Sequence, residues 1–438
     1  MTQSRWIAAL LLAGATRAGA QRDSVMSLSL GDAARLAARQ SGPAVAAQYR
    51  AEQIAGRARE VRAALLPQLN GTFSDGKRTF NTASFGLPLP GFDPNGVVIG
   101  PVRTIDVRGR AVANLVDPAA FGRFRSAQAA AAGATADAAV VMNQAAATAV
   151  TTYIRALRAE AQVNARAADS SLAAELLAIA QRQLNAGVGV ALDVTRARAQ
   201  VAGTHAQLIA ARAERDRSRL ELARVTGVAL DGRIVLRDSL TPATPELPRE
   251  ADAMAAALRD RADLRAAVAA TETARRALRA ARSERLPTLG VFGDDGATSN
   301  SYSHLLNTYT YGLQVTLPVF EGFRTSARVQ QQSAALREAE ARQRDVELQV
   351  VTDVRGALLD LAASREQLGA ASERLALGEQ EVKQSRERFR AGVAGNADVI
   401  TAQLNLDAAR SQYVDALAAL ELARVTLARA QGRLLELP

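Results

Sequence analysis

The chain has 438 residues, of which 48% are hydrophobic and only 4% aromatic. It contains no cysteine, which excludes disulfides, thiolate metal sites, catalytic thiols and a lipid-modified N-terminal cysteine. The formal net charge is +10, but the arginines alternate with acidic residues along predicted helices and no basic run carries interleaved aromatics. Such a pattern indicates solvated helix faces, so nucleic acid is not expected as a partner.

The N-terminus has the pattern of a secretory signal peptide. Arg5 precedes an apolar run over residues 6–15, and Ala18-Gly19-Ala20 matches the small-residue cleavage signal. We therefore expect residues 1–20 to be a signal peptide and the mature chain to be exported. Beyond it, no uninterrupted apolar run approaches the ~20 residues that a transmembrane helix needs, so entry into a membrane would require strands in a closed barrel.

The rest of the chain is a tandem duplication. Residues 186–227 align without a gap with residues 391–432, and both segments begin with Ala-Gly-Val, share an Asp-Val pair and end with Leu-Ala-Arg before a closing glycine. The alignment predicts two structural repeats. They cover residues 21–227 and 249–438, with a Pro- and Thr-rich linker over 228–248 between them.

Both repeats show the same order of elements. A helix of about 40 residues is followed by a β-hairpin and then by two long helices that a glycine turn connects. The expected hairpins cover residues 68–116 and 288–317, and the turns lie near residues 187 and 392. Proline ends helices and suits strand edges, so it marks the boundaries between helix and hairpin. These boundary residues are Pro67, Pro118, Pro287 and Pro318.

The final helix carries an uninterrupted apolar seam. Its apolar positions recur at spacings of three and four, and large side chains alternate with alanine, which favours close packing of helices in a coiled coil. The seam consists of Val399, Ala402, Leu406, Ala409, Tyr413, Ala416, Leu420, Ala423, Leu427, Ala430 and Leu434. The equivalent row of the first repeat weakens after Ala211, where Arg215 and Ser218 follow.

The hairpins alternate between apolar and polar residues. In the second hairpin, Tyr309, Tyr311, Leu313, Val315 and Leu317 alternate with Thr308, Thr310, Gly312, Gln314 and Thr316. Such a split predicts strands with lipid on one face and water on the other, and the alternative is a small soluble β-domain with one wet face. Four strands cannot close a barrel, so strands that cross a membrane would require several copies of the chain.

No arrangement of residues indicates catalysis. The two histidines, His205 and His304, are far apart in the sequence and lack neighbours that would form a metal site or a catalytic triad. No paired-carboxylate or nucleophile motif stands out. We therefore expect no cofactor, no metal and no enzymatic activity.

Several segments together resemble the outer membrane factor family, the TolC-like channels of tripartite efflux pumps and type I secretion systems. They are "RLPTLGVFG" at 285–293, "VTLPVFEGFRTSARVQQ" at 315–331 and "RFRAGVAGNADVITAQ" at 388–403 with its counterpart in the first repeat. The resemblance implies a mainly α protein that forms a homotrimer. Each protomer would contribute four transmembrane strands to a small β-barrel and its long coiled-coil helices to a periplasmic α-barrel.

The resemblance also implies the partners and the function. Passive export across the periplasm and the outer membrane would depend on outer membrane lipid, a periplasmic adaptor protein and an inner-membrane pump. The tip turns would contact the adaptor, through Gly187, Val188, Gly392 and Val393. The alternative function is that of a periplasmic coiled-coil adaptor or scaffold, which needs no lipid-facing strands.

The family's gating aspartates match Asp193 and Asp398, whose alternative or additional role is to cap the helix after each turn. The chain departs from the family's pattern beside this gate. Ala394 replaces a basic residue of some relatives, and Phe389 has no hydroxyl with which to hydrogen-bond an aspartate. Arg388 or Arg390 would then serve as the gate partner.

Overall fold

A computed structural model describes residues 26–85, 96–230, 234–242, 246–391, 393 and 395–438. The signal peptide expected at 1–20, the tip residue Gly392 and the neighbouring Ala394 lie outside these residues. The predicted mainly α class with four strands per protomer is confirmed, since long helices dominate and four long strands accompany them.

The same order of elements occurs twice along the chain. The first part of the chain forms β1 (Met26–Leu28), α1 (Leu30–Gln40), α2 (Gly42–Ala63), β2 (Gln68–Asn81), β3 (Val98–Val116), α3 (Pro118–Asn185) and α4 (Ala191–Thr226). The second part forms β4 (Ile234–Leu236), α5 (Glu250–Asp260), α6 (Ala262–Ser283), β5 (Thr288–Ser299), β6 (Leu306–Thr316), α7 (Arg324–Arg390) and α8 (Asn396–Ala430).

The expectation of one long helix before each hairpin is wrong. The first helix breaks at Ser41, which is extended at φ −62° and ψ 145°, because Pro43 has no N–H with which to continue the hydrogen-bond ladder. The second helix breaks at the equivalent Arg261, which is also extended. No proline lies at that second break. Arg261 is buried there, and its guanidinium lies 2.7 Å from the Asp353 carboxylate.

The chain divides into two compact units. One consists of residues Ala46–Val140 and Ala262–Val350, and it contains the sheet. The sheet is antiparallel throughout, with the strand order β2–β3–β5–β6, so the pairing of β3 with β5 joins the two hairpins. The register places Leu69 opposite Ala111 and Leu313 opposite Val291, which brings the apolar positions of all four strands onto one face.

That apolar face is largely exposed in the protomer. The exposed fractions are 81% for Leu69, 64% for Phe73, 80% for Tyr311, 71% for Leu313 and 69% for Val315. The opposite face is polar and carries an ionic network, because Arg108 contacts the carboxylates of Asp106 and Asp294 and donates to Thr308 Oγ1 at 2.9 Å.

The other unit contains a core that the linker helps to form. It consists of described residues 26–45, Val141–Arg261 and Val351–Pro438. β1 pairs in parallel with β4, which lies inside the expected 228–248 linker. The fully buried Tyr153 places its hydroxyl 2.8 Å from the Leu28 carbonyl oxygen and 2.9 Å from Asp238 Oδ2. Asp238 therefore connects the linker to the interior of the unit.

The apolar seam of α8 is buried as predicted. Every seam residue is buried except Tyr413, which is half-exposed. The equivalent row of residues on α4 is partly exposed to solvent where its apolar pattern is interrupted, since Arg215 and Ser218 are only half-buried. Among the described residues, no helix contains an apolar stretch long enough to cross a membrane.

Candidate gate at the two helical turns

The turn between α3 and α4 is closed by a left-handed glycine. Gly187 has φ +74°, and the N–H groups of Val188 and Gly189 both donate to the Gln183 carbonyl at 3.1 and 2.9 Å. This arrangement satisfies carbonyl groups at the end of a helix and reverses the chain in few residues. The turn leaves Val188 80% exposed.

The turn between α7 and α8 has the equivalent backbone hydrogen bond at its valine. α7 ends at Arg390, the N–H of Val393 donates to the Arg388 carbonyl at 3.0 Å, and α8 begins at Asn396. Val393 is 71% exposed. Each turn therefore presents an exposed valine at the equivalent position of the duplication.

Asp193 and Asp398 occupy equivalent places, the third residue of α4 and of α8. Their expected alternative role as helix caps is wrong, because the N-caps are Val190 and Gly395, neither of which makes a side-chain hydrogen bond. In the first turn of a helix, a carboxylate is stabilised by the helix dipole and needs no other partner. Asp398 is exposed and Asp193 half-buried, so both carboxylates remain accessible to a ligand or to another chain.

Two side-chain amides tie the turns to each other. Gln183 donates through Nε2 to the carbonyl of Phe389 at 3.0 Å, and Asn396 donates through Nδ2 to the carbonyl of Asp193 at 2.9 Å. Each bond joins one repeat to the other, so the two turns are held together at the same end of the unit.

An apolar cluster and an ion-pair cluster reinforce this end. Phe389 is 4% exposed and packs with apolar residues of α3, α4 and α8, so its role is packing. On the surface beside it, the Glu175 carboxylate accepts from Arg386 at 3.1 Å and from Arg390 at 3.2 Å. Arg390 was one of two expected gate partners, and the structure places it against Glu175.

Glu175 and Arg386 are the residues that the sequence analysis missed. The spacing of four between Arg386 and Arg390 places both on one face of α7, which is visible in the sequence. Their partner lies on α3, more than two hundred residues earlier, and helical periodicity does not identify contacts of that kind.

The four boundary prolines lie where helices and strands meet. Pro118 is the first residue of α3, and the preceding Asp117 caps that helix by accepting the N–H of Ala120 at 2.8 Å. Pro67 and Pro287 immediately precede β2 and β5. Pro318 follows β6 in the segment that leads to α7.

The two turns offer charged and apolar surfaces for contacts. Within the part of the chain that the structure describes, no group of three or more His, Cys, Asp or Glu residues could hold a metal ion. What the two turns present outward is a pair of carboxylates, Asp193 and Asp398, and a pair of valines.

Comparison with known proteins finds similarity to outer membrane efflux proteins. Residues 253–433 match the family model for outer membrane efflux proteins. The chain is 25% identical over 271 residues to the alkaline protease secretion protein AprF of Pseudomonas aeruginosa, which covers 59% of this chain and 55% of AprF. It is 28% identical over 273 residues to the outer membrane efflux protein BepC of Brucella suis, covering 59% of this chain and 57% of BepC. The matched part thus spans little more than half of each relative.

Solved structures share the fold over almost the whole chain. The Campylobacter jejuni CmeC outer membrane channel superposes with a TM-score of 0.78 at 18% identity, covering 92% of this chain and 85% of CmeC. The outer membrane protein VceC of Vibrio cholerae gives 0.76 at 17% identity, covering 92% of this chain and 96% of VceC. Residues 253–433 therefore resemble the outer membrane efflux protein family, and the chain shares its fold with solved outer membrane channels.

Proposed function

We propose that this chain is one protomer of an outer-membrane export channel that serves a tripartite efflux pump or a type I secretion system. The channel would provide a passive, water-filled path, and an inner-membrane pump would supply both the energy and the choice of substrate. The observation that carries the proposal is the exposed apolar face of the four-stranded sheet, which no soluble monomer would leave uncovered.

The sheet supports an assembly of several copies. Strands β2 and β6 form its two edges, and four strands are too few to close around a pore. A homotrimer would join edge to edge into a barrel of twelve strands, with Leu313 and its neighbours against lipid. The ionic face around Arg108 would then line the water-filled interior.

The two helical turns support a gate and an adaptor contact. Three copies would bring six carboxylates, from Asp193 and Asp398, to the same end of the channel, and rings of carboxylates attract cations and basic partners. The exposed valines Val188 and Val393 would provide the apolar part of a contact with the helical hairpin of a periplasmic adaptor protein.

The test is single-channel recording of the purified protein in planar lipid bilayers. The wild type should form a cation-selective pore that divalent or larger cations block, and Asp398→Ala should weaken that block. Asp415→Ala is the matched control, because Asp415 lies on the same helix but is paired with Arg158 at 2.7 Å. Equal block of the wild type and Asp398→Ala would remove Asp398 from the gate and leave the channel assignment standing.

The proposal as a whole has a separate test in fractionation. A detergent-dependent, heat-modifiable oligomer from the outer membrane is expected. A monomer that is soluble without detergent and forms no pore would overturn the channel and favour the adaptor or scaffold function.

A further inference from the structure

Two carboxyl groups meet in the interior of the helical unit, away from the turns. Asp169 on α3 is fully buried and Asp407 on α8 is 6% exposed, and the two side chains face each other. Buried carboxylates cost much free energy unless they are paired, and two adjacent ones also repel each other. Such a pair is expected to keep one proton between them.

The surroundings decide which of the two carboxyls keeps its charge. Asp169 forms ion pairs with Arg410 at 2.6 Å and with Arg166 at 3.5 Å. Asp407 forms no ion pair within the described residues, and its Oδ1 accepts no hydrogen bond there. The proton therefore belongs on Asp407, whose O–H can then donate toward the charged Asp169.

The remaining groups around Asp407 are neutral or belong to the same network. The charges that act on it are Asp169 and Arg166 from α3 and Arg410 from its own helix. From α4, Gln207 contributes a neutral amide that accepts from Arg166 at 3.2 Å. One turn away on α8, Gln403 donates to the carbonyl of Asp169 at 3.3 Å and leaves its own Oε1 unpaired.

The side of α8 that faces α7 adds only apolar contacts here. Leu406, beside Asp407 in the chain, packs with Val382 and Leu375 of α7 and with Leu172 of α3. On this side the pair is thus covered by apolar side chains, which reduce the screening of the two carboxyls by water.

We infer that Asp407 and Asp169 form a buried proton-binding site that holds α3 against α8 when it is occupied and loosens that contact when it is empty. The site is separate from the carboxylates of the turns and needs no pore to operate. Its effect on gating, through the helices that also carry Glu175 and Asp398, rests on the proposed channel function.

Burial and the neighbouring Asp169 together place the loss of the Asp407 proton near neutral pH. Burial, and after it the neighbouring Asp169, raises the pKa of Asp407 from 3.8 to about 7. In the unfolded chain the same group loses its proton near 3.8, so the folded state binds more protons between those two values. The stability that this proton provides is therefore complete below the unfolded value and declines as the pH rises toward 7.

Infrared spectroscopy of the full-length protein in detergent tests the site directly. A protonated carboxyl has a C=O stretching band that a carboxylate lacks, and ordinary carboxyls have already lost their protons at about pH 6. The wild type should show one such band per chain at about pH 6 that disappears by about pH 8. Absence of this titration from the wild type would overturn the inference without reference to any variant.

Two variants assign the band. Asp407→Asn should abolish it, and Asp169→Asn should lower its midpoint by at least about one pH unit, because Arg410 is then free to pair with Asp407. Asp415→Asn, an exposed aspartate further along α8, is the matched control and should leave the midpoint unchanged. If Asp407→Asn does not fold, comparison of the wild type with Asp169→Asn still tests the pairing of the two carboxyls. An unshifted midpoint in Asp169→Asn would contradict that pairing.

Amide hydrogen exchange measures whether loss of the proton loosens the contact between α3 and α8. After correction for intrinsic rates, exchange near residues 169 and 407 should rise several-fold between about pH 6 and pH 8 in the wild type but stay constant in Asp407→Asn. Equal pH dependence in both proteins would overturn the claim that the proton holds the two helices together. Neither readout depends on channel activity, so failure here is distinguishable from failure of the channel proposal.

Discussion

The Glu175 carboxylate on α3 accepts hydrogen bonds at 3.1 Å through both of its oxygens from a single nitrogen of Arg386 on α7. The same carboxylate also contacts Arg390, one helical turn further along α7. One acidic residue thereby fixes the end of α7 against α3 close to the two turns. The contact joins the two repeats, which makes it a candidate restraint on their separation.

The first prediction concerns this restraint. Glu175→Gln should loosen the end of α7, because it removes the charge that both arginines share. Partly exposed ion pairs contribute about 0.2–1 kcal/mol each, so amide exchange near residue 390 should rise about two- to five-fold. In bilayers, the variant should also spend more time in the higher-conductance state. The measurements are hydrogen exchange with mass spectrometry and single-channel recording.

A matched control is available on α8. Glu421→Gln removes an ion pair with Arg424 that lies within one helix, at a spacing of three. It changes the net charge equally but breaks no contact between helices. Similar effects of the two substitutions would show that charge alone, and not the tie between α3 and α7, controls the turns.

The second prediction distinguishes the two faces of the sheet. Leu313 lies on the exposed apolar face and the adjacent Gln314 lies on the polar one. Arginine on a lipid face costs about 2–4 kcal/mol at the bilayer midplane, whereas a wet face tolerates it. Leu313→Arg should therefore strongly reduce the amount of heat-modifiable oligomer in the outer membrane, and Gln314→Arg should not. Equal assembly of both variants would favour a soluble sheet.

Sequence periodicity predicted the parts of the fold that repeat along one element. The α8 seam is visible because Val399 through Leu434 recur every three or four residues, and burial follows that spacing closely. The strands are visible because polar and apolar residues alternate along β6. Both signals arise within one element, so one sequence is enough to detect them.

Features that depend on contacts between distant segments were not predicted. The helix break at Arg261 has no proline or glycine beside it and coincides with an ion pair to Asp353, ninety-two residues away. The pairing of β1 with β4 involves three residues on each side, too few for a recognisable alternation. At the turns, the internal duplication indicates that Asp193 and Asp398 are equivalent. Their position inside the helices and the contact of Arg390 with Glu175 depend on the folded structure and are not visible in the sequence.

The third prediction tests the buried hydroxyl that anchors the linker. Tyr153→Phe removes the proton that lies between the Leu28 carbonyl and Asp238, and leaves both acceptors buried with one partner fewer. Each acceptor keeps another donor, since the Arg237 N–H donates to the Leu28 carbonyl at 2.9 Å and the Leu30 N–H donates to Asp238 Oδ2 at 2.8 Å. The loss of the hydroxyl's hydrogen bond should therefore cost about 0.5–1.5 kcal/mol and lower the midpoint of denaturant unfolding. Tyr49→Phe is the control, because Tyr49 is 65% exposed, and its midpoint should equal that of the wild type. A Tyr153→Phe protein of wild-type stability would show that the hydroxyl does not anchor the linker.

The last prediction concerns the close approach of α3 and α6. A Cβ atom at Gly122 of α3 would lie 2.8 Å from Cα of Ala280 on α6, closer than a methyl group can approach backbone. Gly122→Ala should therefore push the two helices apart and cost about 1–3 kcal/mol, as overpacking does.

At Gly203 on α4 the same substitution meets nothing within 4 Å, so the gain in helix propensity, up to about 1 kcal/mol, is the only effect expected. Denaturant unfolding of both variants should thus give shifts of opposite sign. Stabilisation by both would mean that α3 and α6 pack less closely than these distances require, since propensity alone favours alanine at either position.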